Sequence, residues 1–194
     1  METGIVSVNR MLEERGLPTI PSIEHYREIF DFPIEEYYRG LGFDFEREPY
    51  HVLAPIWVDL YNKNSDMSHL VDGVRETLEA IREMGISQII ISACEQGMLE
   101  EYLNKLGVYD FFEEIRGLDN IHAGSKTHLA TDWKARHPES KILFIGDTTH
   151  DAETAAAMEG DCVLFSGGHQ SRRKLEATGH PVIDKMTELV GFIK

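Results

Sequence analysis

Residues 142–151 read ILFIGDTTHD, and this stretch decides the fold of the chain. Four apolar residues lead into Gly146, and two aspartates, Asp147 and Asp151, follow four positions apart. Such an apolar run is typical of a strand that is buried on both faces of a parallel sheet. Ligands of open α/β sheets bind beyond the carboxyl ends of the strands. The stretch therefore predicts an acidic site at a strand end, where a cation would bind.

The rest of the chain after about residue 66 alternates between strand-like and helix-like segments. SQIIIS (87–92) and CVLFS (162–166) are further candidates for buried strands, FEEIRG (112–117) is a weaker one, and amphipathic or alanine-rich helical segments separate them. Repeated βα units predict an α/β fold, a Rossmann-like parallel sheet with helices on both faces. The segment 183–193, IDKMTELVGFI, predicts a final helix.

The first 65 residues show a different sequence pattern from the rest of the chain. Their apolar residues recur with a helical period, and no strand is evident. Ile5, Val8 and Leu12 share one helical face, and Pro21, Pro33 and Pro49 mark the starts of three further helices. We therefore expect two domains: a small helical bundle over residues 1–65 and an α/β core over residues 66–194.

Composition limits the possible partners. The formal charge of −15 supplies no basic face for nucleic acid, so a phosphate site must be built locally. No apolar run approaches the ~20 residues that would span a bilayer. Cys94 and Cys162 have no metal-type spacing, the nine histidines form no paired motif, and a reduced, cytoplasmic setting is expected. We expect no membrane or nucleic-acid partner, and the oligomeric state stays open.

Four polar side chains stand at or just after the predicted strands. Ser92 ends the IIIS run, Lys126 lies in AGSKTH at a helix start, and Asp147 and Asp151 follow ILFIG. Each has an ordinary alternative role, because the serine could cap a helix, the lysine could be solvated, and the aspartates could face a helix dipole. Together they could hold a phosphate through a hydroxyl and an amine, and Mg²⁺ through carboxylate oxygens.

These motifs resemble those of the haloacid dehalogenase superfamily, in its phosphoglycolate-phosphatase-like branch. IIIS, the lysine of GSKTH and GDTTHD resemble the second, third and fourth motifs of that family, and residues 15–46 resemble its helical cap. The resemblance implies that Ser92 and Lys126 bind phosphate, that Asp147 and Asp151 form the Mg²⁺ site, and that Lys126 and Asp151 take part in catalysis. It implies a small phosphorylated metabolite as the substrate.

This chain departs from the family pattern in one respect. The resemblance implies an aspartate nucleophile in an Asp-x-Asp motif at the end of a central first strand, ahead of the first cap helix. Residues 1–18, METGIVSVNRMLEERGLP, look like the stretch that follows this motif, and neither Asp44 nor Asp59 replaces it. We expect the nucleophile motif to lie upstream of this chain; otherwise another segment fills the slot, or the sheet closes into a smaller arrangement.

Three functions compete on this basis. The first is a Mg²⁺-dependent phosphatase that works through an aspartyl-phosphate. The second is a catalytically inactive relative that binds phosphate or a partner without turnover. A receiver-like signalling domain also uses acidic strand ends and a lysine, but it would be much shorter and leaves the helical front unexplained.

Overall fold

The computed structural model describes residues 1–193, and it consists of an N-terminal group of helices followed by an α/β region. The helices are α1 (Glu2–Glu14), α2 (Ile23–Ile29), α3 (Ile34–Gly40), α4 (Tyr50–Lys63), α5 (Val74–Glu83), α6 (Gln96–Lys105), α7 (Thr127–Arg136), α8 (Thr149–Ala157) and α9 (Arg172–Glu176). The strands are β1 (Ile89–Glu95), β2 (Glu114–Leu118), β3 (Leu143–Gly146), β4 (Asp161–Phe165) and β5 (Val182–Ile183).

The N-terminal helices form where the sequence pattern predicts them. Ile5, Val8 and Leu12 of α1 are at most 8% exposed, and they belong to one apolar cluster that includes residues from all four N-terminal helices. Ser22 caps α2 by accepting a hydrogen bond from the His25 backbone N–H at 3.2 Å. The helical period of the apolar residues is thus satisfied within this region, by packing of one helix against the next.

All strand pairs are parallel, as the βα alternation predicts. β1 pairs with β2 in one sheet, and β4 lies between β3 and β5 in a second sheet. Within residues 1–193 no strand pairing joins β1 to β3. The side chains of Ile91 on β1 and Phe144 on β3 nevertheless pack into one cluster around Ala130 of α7. The α/β architecture is therefore confirmed, with its strands in two sheets that share this layer of side chains.

One local prediction is wrong, and one alternative role is excluded. The predicted helix over residues 183–193 is instead the short strand β5 followed by a 3₁₀ helix, Met186–Phe192. β5 forms because the Ser166 and Leu164 backbone N–H groups bond to Ile183 and Pro181, which draws this segment into the sheet. The strand containing Ser92 also continues to Glu95, where the Glu95 side chain caps α6. Ser92 is therefore not a helix cap.

No helix within the described residues is both long enough and apolar enough to cross a lipid bilayer.

Candidate active site

The turn between β3 and α8 positions both aspartates of the GDTTHD stretch. Thr148 is the N-cap of α8, and its hydroxyl accepts a hydrogen bond from the Asp151 backbone N–H at 3.2 Å. In return, Asp151 Oδ2 accepts from the Thr148 backbone N–H at 2.9 Å and from the Asp147 backbone N–H at 2.9 Å. This reciprocal capping box fixes the turn. A side chain on Gly146 would overlap the Asp151 carboxyl group, so this position requires glycine.

Lys126 and Asp151 form a buried ion pair. Lys126 Nζ lies 2.5 Å from Asp151 Oδ1, and the two side chains are 12% and 5% exposed. Burial by itself would raise the pKa of Asp151, but the Lys126 ammonium and the hydrogen bonds from Thr148 and Asp147 hold the pKa below its usual value. Asp151 is therefore ionised at neutral pH, and it holds the lysine in place.

Asp147 directs one carboxylate oxygen toward a neighbouring loop. Its Oδ2 accepts a hydrogen bond from the His169 backbone N–H at 2.6 Å, and its side chain is partly exposed. A Cβ on Gly168 would overlap the Asp147 carboxylate, so the loop approaches closely only because this residue is glycine. No hydrogen bond within the described residues engages Asp147 Oδ1, which leaves this oxygen available to a cation.

Ser92 and Lys126 line the same cavity, which has a volume of about 390 Å³. Thr148, the neighbour of Asp147, lines it too, and so does His169. The carboxyl ends of β1 and β3 therefore open onto one space, as the sequence predicted for their polar residues. Ser92 Oγ accepts a hydrogen bond from the Cys94 backbone N–H at 3.1 Å, so its own hydrogen remains available to a ligand.

The GGHQS loop (167–171) borders the site through His169, which contacts Asp147 and lines the cavity. The His169 ring lies 2.6 Å, Nδ1 to hydroxyl oxygen, from Tyr26 of α2 and stacks on Phe30 at 4.8 Å between ring centroids. Burial lowers the pKa of His169, although the Asp147 carboxylate opposes this shift. Arg27 donates to the carbonyl oxygens of Gly167 and Gly168 at 2.9 and 3.0 Å. The loop thus connects Asp147 to α2.

Two further residues near the site are buried. His150 is a residue of α8 that is 7% exposed and packs against Phe32, with ring centroids 5.0 Å apart. Gln170 is fully buried and accepts from the Thr149 backbone N–H at 2.7 Å. The sequence signal for the close approach of this loop was the pair of glycines before His169 and Gln170, because glycine allows two backbone segments to come close together.

The carboxylates near the cavity match in part what a hard cation such as Mg²⁺ requires of its ligands. Mg²⁺ is commonly bound through one or two carboxylates, with water and substrate phosphate completing the octahedron. Asp147 Oδ1 meets that requirement, whereas both oxygens of Asp151 already accept hydrogen bonds from Lys126, Thr148 and the Asp147 backbone. No cluster of three potential metal-ligating side chains occurs within residues 1–193. The arrangement therefore leaves Asp147 Oδ1 free for a cation, whereas both oxygens of Asp151 are engaged in holding the residues around it.

The parallel sheets, the helical N-terminal region and the acid–lysine cluster at the strand ends define a haloacid-dehalogenase-like α/β protein. Residues 1–165 match the family described as haloacid dehalogenase-like hydrolase, and the chain belongs to this family. It is 27% identical over 139 residues to a phosphoglycolate phosphatase of Pseudomonas savastanoi, covering 70% of this chain and 51% of that protein. A phosphoglycolate phosphatase of Photobacterium profundum is 25% identical over 131 residues, covering 66% of this chain and 57% of that protein. The chain thus spans about half the length of these curated relatives.

Solved structures share the fold. A haloacid dehalogenase-like hydrolase of Streptococcus pneumoniae superposes with a TM-score of 0.83 at 16% identity, covering 100% of this chain and 91% of that one. Protein tyrosine kinase A of Mycobacterium tuberculosis superposes with a TM-score of 0.79 at 19% identity, covering 98% and 89%. Proteins with such different names share this fold, so the fold does not determine the substrate.

Proposed function

We propose that this chain forms the phosphate- and Mg²⁺-binding part of a phosphatase that resembles phosphoglycolate phosphatase and acts on a small phosphorylated metabolite. The observation that carries the proposal is the shared cavity of Ser92 and Lys126, bordered by the turn that holds Asp147. A hydroxyl, an ammonium and a carboxylate with a free oxygen are the groups that phosphoryl transfer requires for positioning and charge stabilisation. Family membership supports the same reaction class.

Each residue has a role that follows from its surroundings. Ser92 donates its hydroxyl hydrogen to a phosphoryl oxygen, and Lys126 neutralises the negative charge that collects on the transferred group. Asp151 keeps Lys126 in the cavity wall through the 2.5 Å ion pair. Asp147 supplies the carboxylate for Mg²⁺, which when bound polarises the phosphoryl oxygens and neutralises their charge.

The nucleophile requires a further carboxylate. None of the described residues that line the cavity is an aspartate or a glutamate. We place the nucleophilic aspartate on an extended segment between β1 and β3, upstream of Met1 in the order of the chain, as the family resemblance implies. β1 and β3 contribute side chains to one cluster but are not paired with each other within residues 1–193, and this arrangement supports the placement.

The absence of a carboxylate among the described cavity residues also favours the second candidate function, which is binding without turnover. The 194-residue chain alone would then bind phosphate with Mg²⁺ and hydrolyse nothing. The two functions share one site and differ only in the nucleophile.

Hydrolysis of p-nitrophenyl phosphate separates them. It is measured with and without Mg²⁺ on the 194-residue chain and on a chain that includes the residues encoded upstream of Met1. We expect Mg²⁺-dependent hydrolysis only from the longer chain, and we expect Asp147→Asn to reduce it at least ~100-fold, while Asp161→Asn, which changes an exposed aspartate of β4, leaves it intact. Equal activity of the two chains would place the nucleophile within the 194 residues. Inactivity of both chains would favour binding without turnover.

A further inference from the structure

The cavity extends from the phosphate-binding groups into the N-terminal helices, and its far wall is aromatic. Its volume of about 390 Å³ lies within the range of small-molecule sites. Aromatic rings from α2, α3, α4 and α6 line it, including Tyr26, Phe30, Tyr37, Trp57, Tyr61 and Tyr102. A leaving group bonded to a phosphate at Ser92 and Lys126 would lie against this wall.

Three of the tyrosine hydroxyls in the wall are already engaged with the protein. The hydroxyls of Tyr26, Tyr50 and Tyr102 are paired with His169 Nδ1, the His122 carbonyl oxygen and Asn62 Oδ1 at 2.6, 2.9 and 2.6 Å. These residues therefore present ring surface to the cavity, and their capacity to bind a polar ligand is largely used. Most of the wall is therefore ring surface, which suits an apolar group.

Tyr37 is different, because its buried hydroxyl has no hydrogen-bond partner among the described residues. The residue is 6% exposed and lines the cavity. Burial raises the pKa of Tyr37, so the hydroxyl stays neutral. The hydroxyl has almost no accessible surface, so a ligand in the cavity would contact the ring of Tyr37 and not its hydroxyl.

The lining of the cavity offers little free positive charge. Lys126 is the only lysine or arginine among the described residues that line the cavity, and it is already paired with Asp151. Arg27 lies outside the lining and uses Nε and Nη2 for carbonyl oxygens of the GGHQS loop. Besides Lys126, the cation in the lining is the α-amino group of Met1, which already interacts with the charge of Asp147. A second anionic group on the ligand, such as a carboxylate, would therefore be buried against aromatic rings without an unengaged cation, which is unfavourable.

We propose that the site accepts phosphate monoesters whose leaving group is aromatic or otherwise apolar, and that it discriminates against carboxylate-bearing esters such as phosphoglycolate. The proposal rests on the proposed function, because it uses the same phosphate position. It differs from the substrate that the names of the curated relatives suggest, and the difference arises from the aromatic wall.

Calorimetric titration of the 194-residue chain in the presence of Mg²⁺ tests the proposal. The ligands are phenyl phosphate, 2-phosphoglycolate and inorganic phosphate. We expect phenyl phosphate to bind roughly tenfold or more tightly than 2-phosphoglycolate, because burial of a ring is favourable and each 1.4 kcal/mol is about tenfold in affinity. Binding of 2-phosphoglycolate as tight as or tighter than that of phenyl phosphate would overturn the substrate class and leave the phosphate site standing. Failure of all three ligands to bind would overturn the proposed function itself, and this inference with it.

Two tryptophan variants test where the ring of phenyl phosphate binds. Trp57 lines the cavity, whereas Trp133 stacks on His137 outside its lining, at 4.2 Å between ring centroids. We expect Trp57→Leu to weaken phenyl phosphate roughly threefold to tenfold and to leave inorganic phosphate unchanged. The matched variant Trp133→Leu is expected to change neither affinity. Unchanged phenyl phosphate binding in a folded Trp57→Leu chain would overturn the placement of the leaving group in this cavity.

Discussion

The N-terminal helices and the α/β region bury their apolar residues in different ways. In the helical region, 13 buried residues from Ile5 to Ala54 form one continuous cluster. In the α/β region, the buried residues fall into four smaller clusters. The helical region is thus a self-contained core, whereas the α/β region is divided between the β1–β2 sheet and the β3–β4–β5 sheet.

The helical region and the α/β region also differ in how much their structure depends on polar interactions. Few polar side chains are buried within the helical cluster. In the α/β region, by contrast, the buried ion pair of Lys126 and Asp151 and the capping box of Thr148 lie next to the division between the two sheets. A further set of polar contacts, through Arg27 and Gln170, connects the two regions. The site lies among these contacts, so changes to it affect both stability and binding.

The largest effect is expected from breaking the buried ion pair. Asp151→Asn leaves the Lys126 ammonium buried without its partner, which typically costs ~3–5 kcal/mol of unfolding free energy. Urea denaturation followed by circular dichroism measures this cost. Asp161→Asn, on the exposed start of β4, is the control and should change stability by less than ~0.5 kcal/mol. Similar stabilities of the two variants would contradict a structural role for the pair.

A pair of core truncations sharpens the comparison of the two regions. Leu53 in the helical cluster and Leu164 on β4 are both 0% exposed. Each change to alanine should cost ~2–5 kcal/mol, because a cavity is left behind. Amide hydrogen exchange should then rise mainly in α1–α4 for Leu53→Ala and mainly in the α/β region for Leu164→Ala. Equal increases throughout the chain for both variants would show that the two cores unfold as one unit.

A smaller effect is expected at the contact between the regions. Gln170 Nε2 donates to the Phe30 carbonyl oxygen at 3.3 Å, and its Oε1 accepts from the Thr149 backbone N–H. Gln170→Leu leaves the Thr149 N–H without its partner, at a cost of about 1–3 kcal/mol, whereas the Phe30 carbonyl oxygen keeps its hydrogen bond from Lys174 Nζ at 2.8 Å. Equilibrium denaturation measures this loss. A stability equal to that of the unaltered chain would show that the Thr149 N–H finds another partner.

The pH dependence of stability is expected to be the mildest effect. The pKa of Asp151 is lower in the folded chain than its usual value, so the stabilisation is fully present above the unfolded value of ~3.9 and is lost as the pH falls through the folded value. The unfolding free energy of the unaltered chain should therefore fall more steeply below pH 4 than that of Asp151→Asn. Parallel pH profiles would contradict the lowered pKa.

Local sequence patterns predicted the elements that depend on near neighbours. The helical period of α1 and the apolar run of β3 needed no tertiary information, and both are observed. The tail was misjudged because Val182 and Ile183 become a strand only through β4, which the local spacing does not reveal. The role of His169 was missed because it depends on a close approach between its loop and Asp147.

The central claim is that Asp147 holds a cation beside a phosphate where the carboxyl ends of β1 and β3 open onto one cavity. Mg²⁺-dependent phosphate binding tests it most directly because no nucleophile is required. Calorimetry of inorganic phosphate is performed with and without Mg²⁺ on the unaltered chain, Asp147→Asn and Asp161→Asn. We predict that Mg²⁺ strengthens phosphate binding in the unaltered chain and in Asp161→Asn, and that Asp147→Asn loses this dependence while its circular dichroism spectrum is retained. Mg²⁺-dependent binding of equal affinity in Asp147→Asn would contradict the claim.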